Sequence, residues 1–188
     1  MNTVKGHLPM SYIANLDSAC TYLKVGRIER ARESLQRALA GVPAEHKVSS
    51  NRAYLKILAL LAKLSFSEKP KGPAAEYINE GLQVKSNHVD LLFLNALALL
   101  DQKKYDEMLA ALGIFLVSIP PDEDDQYEFA DEKAVQEVFS NLLPTAYRNC
   151  SRHEELKALF KRLATAAGSP VLAKALEVIA AIDQAKQP

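Results

Sequence analysis

The sequence predicts an all-α protein built as an array of about four helix-turn-helix units, and three observations predict it. Apolar and small residues recur with three-and-four spacing, which puts one stripe on each successive helix: Leu16, Ala19, Cys20 and Leu23, then Ile28, Ala31, Leu35, Ala38 and Leu39. Glycine and proline punctuate those stripes at Gly26 and Pro43. The pattern then recurs along the chain at fixed offsets, which marks stacked units rather than one irregular bundle.

Residues 1–11 form an N-terminal segment, and the first unit spans 12–43. Gly26 is placed to take the left-handed backbone that ends a helix, and Pro43 cannot continue the second helix. The second unit, 51–86, contains a long apolar helix from about Arg52 to Phe66 and a second helix from about Pro73 to Val84. Its Ala74, Ile78 and Leu82 stand 43 residues after Ala31, Leu35 and Leu39. In the third unit, 89–120, Leu99, Tyr105, Leu112, Leu116 and Pro120 follow Tyr22, Ile28, Leu35, Leu39 and Pro43 at a constant 77, and Lys103 stands where Gly26 would fall. A fourth unit, 138–168, aligns Tyr147, His153, Phe160 and Leu163 with Tyr22, Ile28, Leu35 and Ala38. Pro144 lies inside its first helix and should kink it or delay its start. Residues 169–188 form a closing helix and tail, with Ser169 as N-cap and Pro170 at the first helical position. Such a helix would cover the apolar face that a last repeat leaves open.

Insertions near 65–73 and 121–134 interrupt this period. The second holds the acidic run Pro121 to Glu128, and Asp122, Asp124 and Gln126 alternate as calcium ligands do. An EF-hand loop counted from Asp122 would need glycine and glutamate where Tyr127 and Lys133 stand, so no metal is expected. The segment reads as a solvated turn before a helix that starts near Asp131, where Asp131 and Glu132 suit the positive end of the helix dipole.

The spacing of 34 from Ile78 to Leu112 and from Leu82 to Leu116 is the length of the tetratricopeptide repeat, which the chain resembles. Tyr22, Gly26, Ile28, Ala31, Leu35, Ala38 and Pro43 follow that repeat's pattern in the first unit. In the third, Tyr105, Asp106, Glu107 and Pro120 fit, while Lys103 replaces the turn glycine and Met108 the alanine. The resemblance implies a right-handed superhelix whose concave face is lined by the first helix of each unit. It places Ile13, Leu16, Cys20, Leu23 and Lys24 on that face in the first unit. In the third they are Asp90, Phe93, Leu97, Leu100 and Asp101, and in the fourth Val138, Asn141, Thr145, Arg148 and Asn149. In the second, Arg52, Leu55, Ala59 and Lys63 are the corresponding residues. Phe93, Leu97 and Leu100 equally suit packing between helices. Chaperone-binding repeats use lysine and asparagine where this chain has Leu16 and Cys20, so binding of chaperone tails is not expected.

Residues 90–149 are also similar to helical repeats that accompany bacterial family 2 glycosyltransferases. Size and repeat number are similar to those of class II chaperones of type III secretion. Composition narrows the field of functions. Lys plus Arg and Asp plus Glu are both 23, which leaves no net positive field for nucleic acid or an anionic membrane. There is no apolar run long enough to span a bilayer and no signal-peptide order at the start, so a cytoplasmic protein is expected. The LDSAC string at 16–20 lacks the apolar stretch of a lipoprotein signal, and Cys20 reads as a buried helix residue. Cys20 and Cys150 form no metal or redox spacing, and no phosphate loop, nucleophile elbow or histidine pair with ligand spacing occurs. The expectation is a non-catalytic module without cofactor that binds a protein or peptide through Leu16, Cys20, Leu23, Phe93, Leu97, Asn141, Thr145, Arg148 and Asn149. An accessory module of a carbohydrate-modifying enzyme or a secretion-type chaperone is the alternative. An open apolar face on the first helix pair would also allow a homodimer.

Overall fold

The described residues are almost all helical, and among them there is no strand. The computed structural model describes residues 12–66, 68, 72–119 and 128–185. Pro120, the alternating acids Asp122 and Asp124 with Gln126, and the first eleven residues lie outside them. No helix among the described residues is long and apolar enough to cross a membrane. The chain divides into two compact units, 1–85 and 86–188.

In the first unit, α1 (Tyr12–Lys24) and α2 (Ile28–Ala40) form a close pair. Leu16 and Ala19 face Ala31, Leu35 and Ala38 as the buried stripe, whereas Cys20 and Leu23 are half-buried and Ile28 is exposed. The turn between them is a Schellman motif: Gly26 has φ +70°, its N–H donates to the Leu23 carbonyl at 3.1 Å, and the Arg27 N–H donates to that of Tyr22 at 2.9 Å. Helix α2 ends at Ala40, and Pro43 opens a single 3-10 turn, Ala44–His46. Asn51 then caps α3 (Arg52–Ser65), its side-chain oxygen accepting from the Tyr54 N–H at 3.2 Å. Helix α3 is buried almost all round and packs on α2 and on α4 (Ala74–Val84).

In the second unit, α5 (Val89–Asp101) pairs with α6 (Tyr105–Val117). Their turn repeats the Schellman geometry without glycine. Lys103 has φ +56°, its N–H donates to the Leu100 carbonyl at 3.0 Å, and the Lys104 N–H donates to that of Leu99 at 2.9 Å. The 77-residue alignment with Gly26 therefore holds at the level of backbone geometry.

The helix expected to start near Asp131 is α7 (Glu132–Glu137), and Asp131 is its N-cap, with its carboxylate accepting from the Ala134 N–H at 2.9 Å. The helical path thus begins earlier than the unit boundary expected at Val138. It runs through a π-turn, Val138–Leu142, into α8 (Leu143–Asn149). The Leu143 N–H reaches back five residues to the Val138 carbonyl. Pro144 falls in the first turn of α8, where its missing N–H costs little, so the wide turn accommodates the proline without breaking the helix.

Helix α9 (His153–Ala167) packs on α6 and on α10 (Pro170–Gln184), and α8 also packs on both. At Gly113 of α6 an added Cβ would lie 3.1 Å from Leu163 and 3.4 Å from Phe160, so the missing side chain sets the close approach of α9. Leu172, Ala175, Ile179 and Ile182 of α10 are buried. Ser169 has the extended backbone of an N-cap, but its hydroxyl makes no capping bond; Pro170 starts the helix by its fixed φ instead.

Candidate functional site

The residues predicted to line a binding face separate into core and surface. Leu16 and Phe93 are buried, and the Phe93 ring lies 5.8 Å from that of Phe115. Cys20, Leu23 and Leu97 are half-buried. Val138, Leu55 and Ala59 are core residues, while Arg52 and Lys63 are exposed. The apolar part of the predicted face thus contributes mainly to helix packing, because α3 and α5 are enclosed on nearly every side.

Asp90 requires a correction. It was expected on a binding face, but it is 2% exposed and folded onto its own unit. Its Oδ2 accepts from the Glu128 N–H at 2.8 Å, and its Oδ1 accepts from the N–H groups of Phe129 at 2.8 Å and Ala130 at 2.9 Å. Burial pushes its carboxyl above the usual carboxylate range, and the three N–H donors oppose that shift. The side chain anchors the end of the second insertion.

The polar residues expected on the binding face at 138–149 do come together. Asn141, Thr145 and Asn149 are spaced four apart on one flank of the π-turn and α8. Asn141 Nδ2 donates to Glu137 Oε1 at 2.7 Å, Thr145 Oγ1 donates to Asn141 Oδ1 at 3.3 Å, and Asn149 Nδ2 donates to the Thr145 carbonyl at 2.8 Å. This ladder holds the side chains in place but leaves each amide one N–H, and Asn149 its side-chain oxygen, for a partner. Arg148 beside it is exposed and has no ion-pair partner among the described residues.

Asp106, which the sequence marked only as fitting the repeat pattern, and Asp183, which it did not single out, tie the second unit together. Asp106 of α6 accepts from the Ser151 N–H at 2.7 Å and the Ser151 hydroxyl at 2.5 Å, at the entry to α9. The Ser151 hydroxyl, with two backbone N–H groups and Arg152, holds the Asp106 carboxyl below its ordinary range. Asp183 of α10 accepts from the Tyr147 hydroxyl of α8 at 2.9 Å and pairs with Lys157 of α9. Their partners lie 45 and 36 residues away, so no local pattern reveals them.

The first unit contains a cleft of about 140 Å³. Arg32 and Gln36 of α2, Leu61 and Ser65 of α3, and Tyr77 of α4 line it, together with Glu68 and Pro73 of the first insertion. Arg32 pairs with Glu68 through one guanidinium nitrogen, Nη1. Burial, then the carboxylates of Glu76, Glu68 and Glu80, raise the Tyr77 hydroxyl above the usual tyrosine value, with Arg32 opposing them. Among the described residues no group of three or more His, Cys, Asp and Glu side chains is arranged to hold a metal ion. No protein-family model, curated protein or solved structure matches the chain.

Proposed function

We propose that this protein is a non-catalytic interaction module of tetratricopeptide-like units that binds an extended peptide of a partner protein. The observation that carries this reading is the ladder of exposed Asn141, half-buried Thr145 and exposed Asn149 beside Arg148. Side-chain amides held at helical spacing offer paired donors and acceptors to a peptide backbone, and a free guanidinium beside them suits a carboxylate. The helical hairpins and the shared turn geometry at Gly26 and Lys103 support the repeat architecture. The asparagine and threonine side chains are already held by hydrogen bonds, so ordering them on binding loses little side-chain entropy.

Selection from a random peptide library on the immobilised full chain tests this. Selected peptides should lose at least about tenfold in affinity to R148A and to N141A/N149A, equivalent to about 1.4 kcal/mol. Unchanged affinity in both variants would remove this face from the binding site.

A further inference from the structure

The cleft of the first unit has a feature that its shape alone does not require. The Arg32 Nε is buried and has no hydrogen-bond partner among the described residues, while its Nη1 is paired with Glu68. A guanidinium presents parallel N–H groups that match both oxygens of a carboxylate, so a single contact through Nη1 uses only part of that fork. Tyr77 lines the same space, and a tyrosine carries a neutral hydroxyl donor. At about 140 Å³ the cleft is smaller than the few hundred Å³ of a site for a drug-sized ligand. It suits one acid group on a short stem.

Among the described residues, Arg32 is the ion-pair partner of the Glu68 carboxylate. The Glu68 N–H donates to the Ser65 carbonyl at a long 3.3 Å, and the Gly72 N–H shares that acceptor at 3.3 Å. Gly72 lies against the carboxylate: an added Cβ would come within 2.6 Å of Glu68 Cδ and closer still to Oε2. Glycine at 72 is thus what allows Glu68 to fold back onto Arg32. The obstructing atoms are the end of a flexible side chain, and the Gly72 backbone is outside the left-handed region. A methyl group at 72 would therefore turn the carboxylate away at little cost to the fold.

We propose that this cleft is a carboxylate-binding site in which Glu68 is a displaceable internal occupant. An acid group on a short stem, from a small free acid or from a glutamate side chain of a partner peptide, replaces the Glu68 carboxylate on Arg32 and engages both Nε and Nη. The internal occupant lowers affinity for an outside acid by the fraction of time the site is closed.

The G72A variant separates the proposal from simple structural pairing, because it moves Glu68 without changing any charge. The readout is the Arg32 Nε resonance in nitrogen-15 spectra of the full chain. It is titrated with sodium acetate, with a short capped peptide containing one glutamate, and with the glutamine twin of that peptide. G72A should bind acetate or the glutamate peptide at least about tenfold more tightly than the unmodified chain, as expected if the site is open about a tenth of the time. The glutamine twin should not bind, and R32Q should abolish the response. A response to acetate identifies a small acid as sufficient, whereas a response to the peptide alone identifies a peptide source. E68Q, which removes the internal charge by another route, should behave as G72A does and serves if G72A does not fold. No shift of Arg32 Nε in either opened variant at tens of millimolar probe, or undiminished binding by R32Q, would overturn the proposal. Neither result bears on the amide ladder, which lies in the other unit.

Discussion

Replacing Lys103 by glycine should stabilise the second unit. Lys103 has φ +56°, the only non-glycine positive φ among the described residues, and it occupies the Schellman position that Gly26 fills in the first unit. An L-residue in this conformation costs roughly 1–2 kcal/mol, because its Cβ crowds the following carbonyl. Glycine removes that cost but widens the unfolded ensemble, which returns about 0.4–1 kcal/mol. The Lys103 side chain is exposed, so little packing is lost. The net gain for K103G is therefore about 0.5–1 kcal/mol. The reciprocal change at Gly26 isolates the backbone effect, since nothing lies within 4 Å of a Cβ built there. G26A should cost about 1 kcal/mol. Urea denaturation at 25 °C, followed by amide signals assigned to each unit, measures both. A loss of stability in K103G, or no cost in G26A, would refute the claim that the turn geometry is shared and strained in the same way.

Removal of the Asp90 carboxylate should be more damaging than its position on a predicted binding face implies. D90A leaves the N–H groups of Glu128, Phe129 and Ala130 without their acceptor and should cost about 2–4 kcal/mol, read as lost hydrogen-exchange protection at those three amides. Alkaline pH should destabilise both units. Burial, then a hydrogen bond to a carboxylate, raises the hydroxyls of Tyr54 and Tyr147, whose partners are Glu80 at 2.5 Å and Asp183 at 2.9 Å. A raised folded value means that the contribution is complete below the ordinary tyrosine pKa of about 10 and is lost as pH rises above it. Y54F and Y147F should each lower stability by about 1.5–3 kcal/mol at pH 7 and flatten the alkaline loss in their own unit. Denaturation from pH 7 to 11.5 checks this, and an unchanged slope in both variants would contradict it.

By itself the sequence determined the features that arise within a few residues. The stripes on α1 and α2, the left-handed turn at Gly26, the helix start near Asp131 and the disturbance around Pro144 all follow from helical periodicity, glycine's freedom, the helix dipole and proline's missing donor. The form of that disturbance, a π-turn, was decided by packing, since Val138 and Leu142 are both buried on one side of it. Burial divided the predicted binding residues in the same way. Leu16 and Phe93 went into the core, whereas Asn141 stayed at the surface, although the repeat pattern treats the three positions as equivalent. Only the tertiary structure brought Asp90 to the amides of 128–130, Asp106 to Ser151, Asp183 to Tyr147, and Glu68 to Arg32. Each joins groups 36 or more residues apart. A lone acid carries no periodic signal of its own; whether it is solvated, buried on N–H donors or seated on an arginine depends on which helices the fold brings beside it.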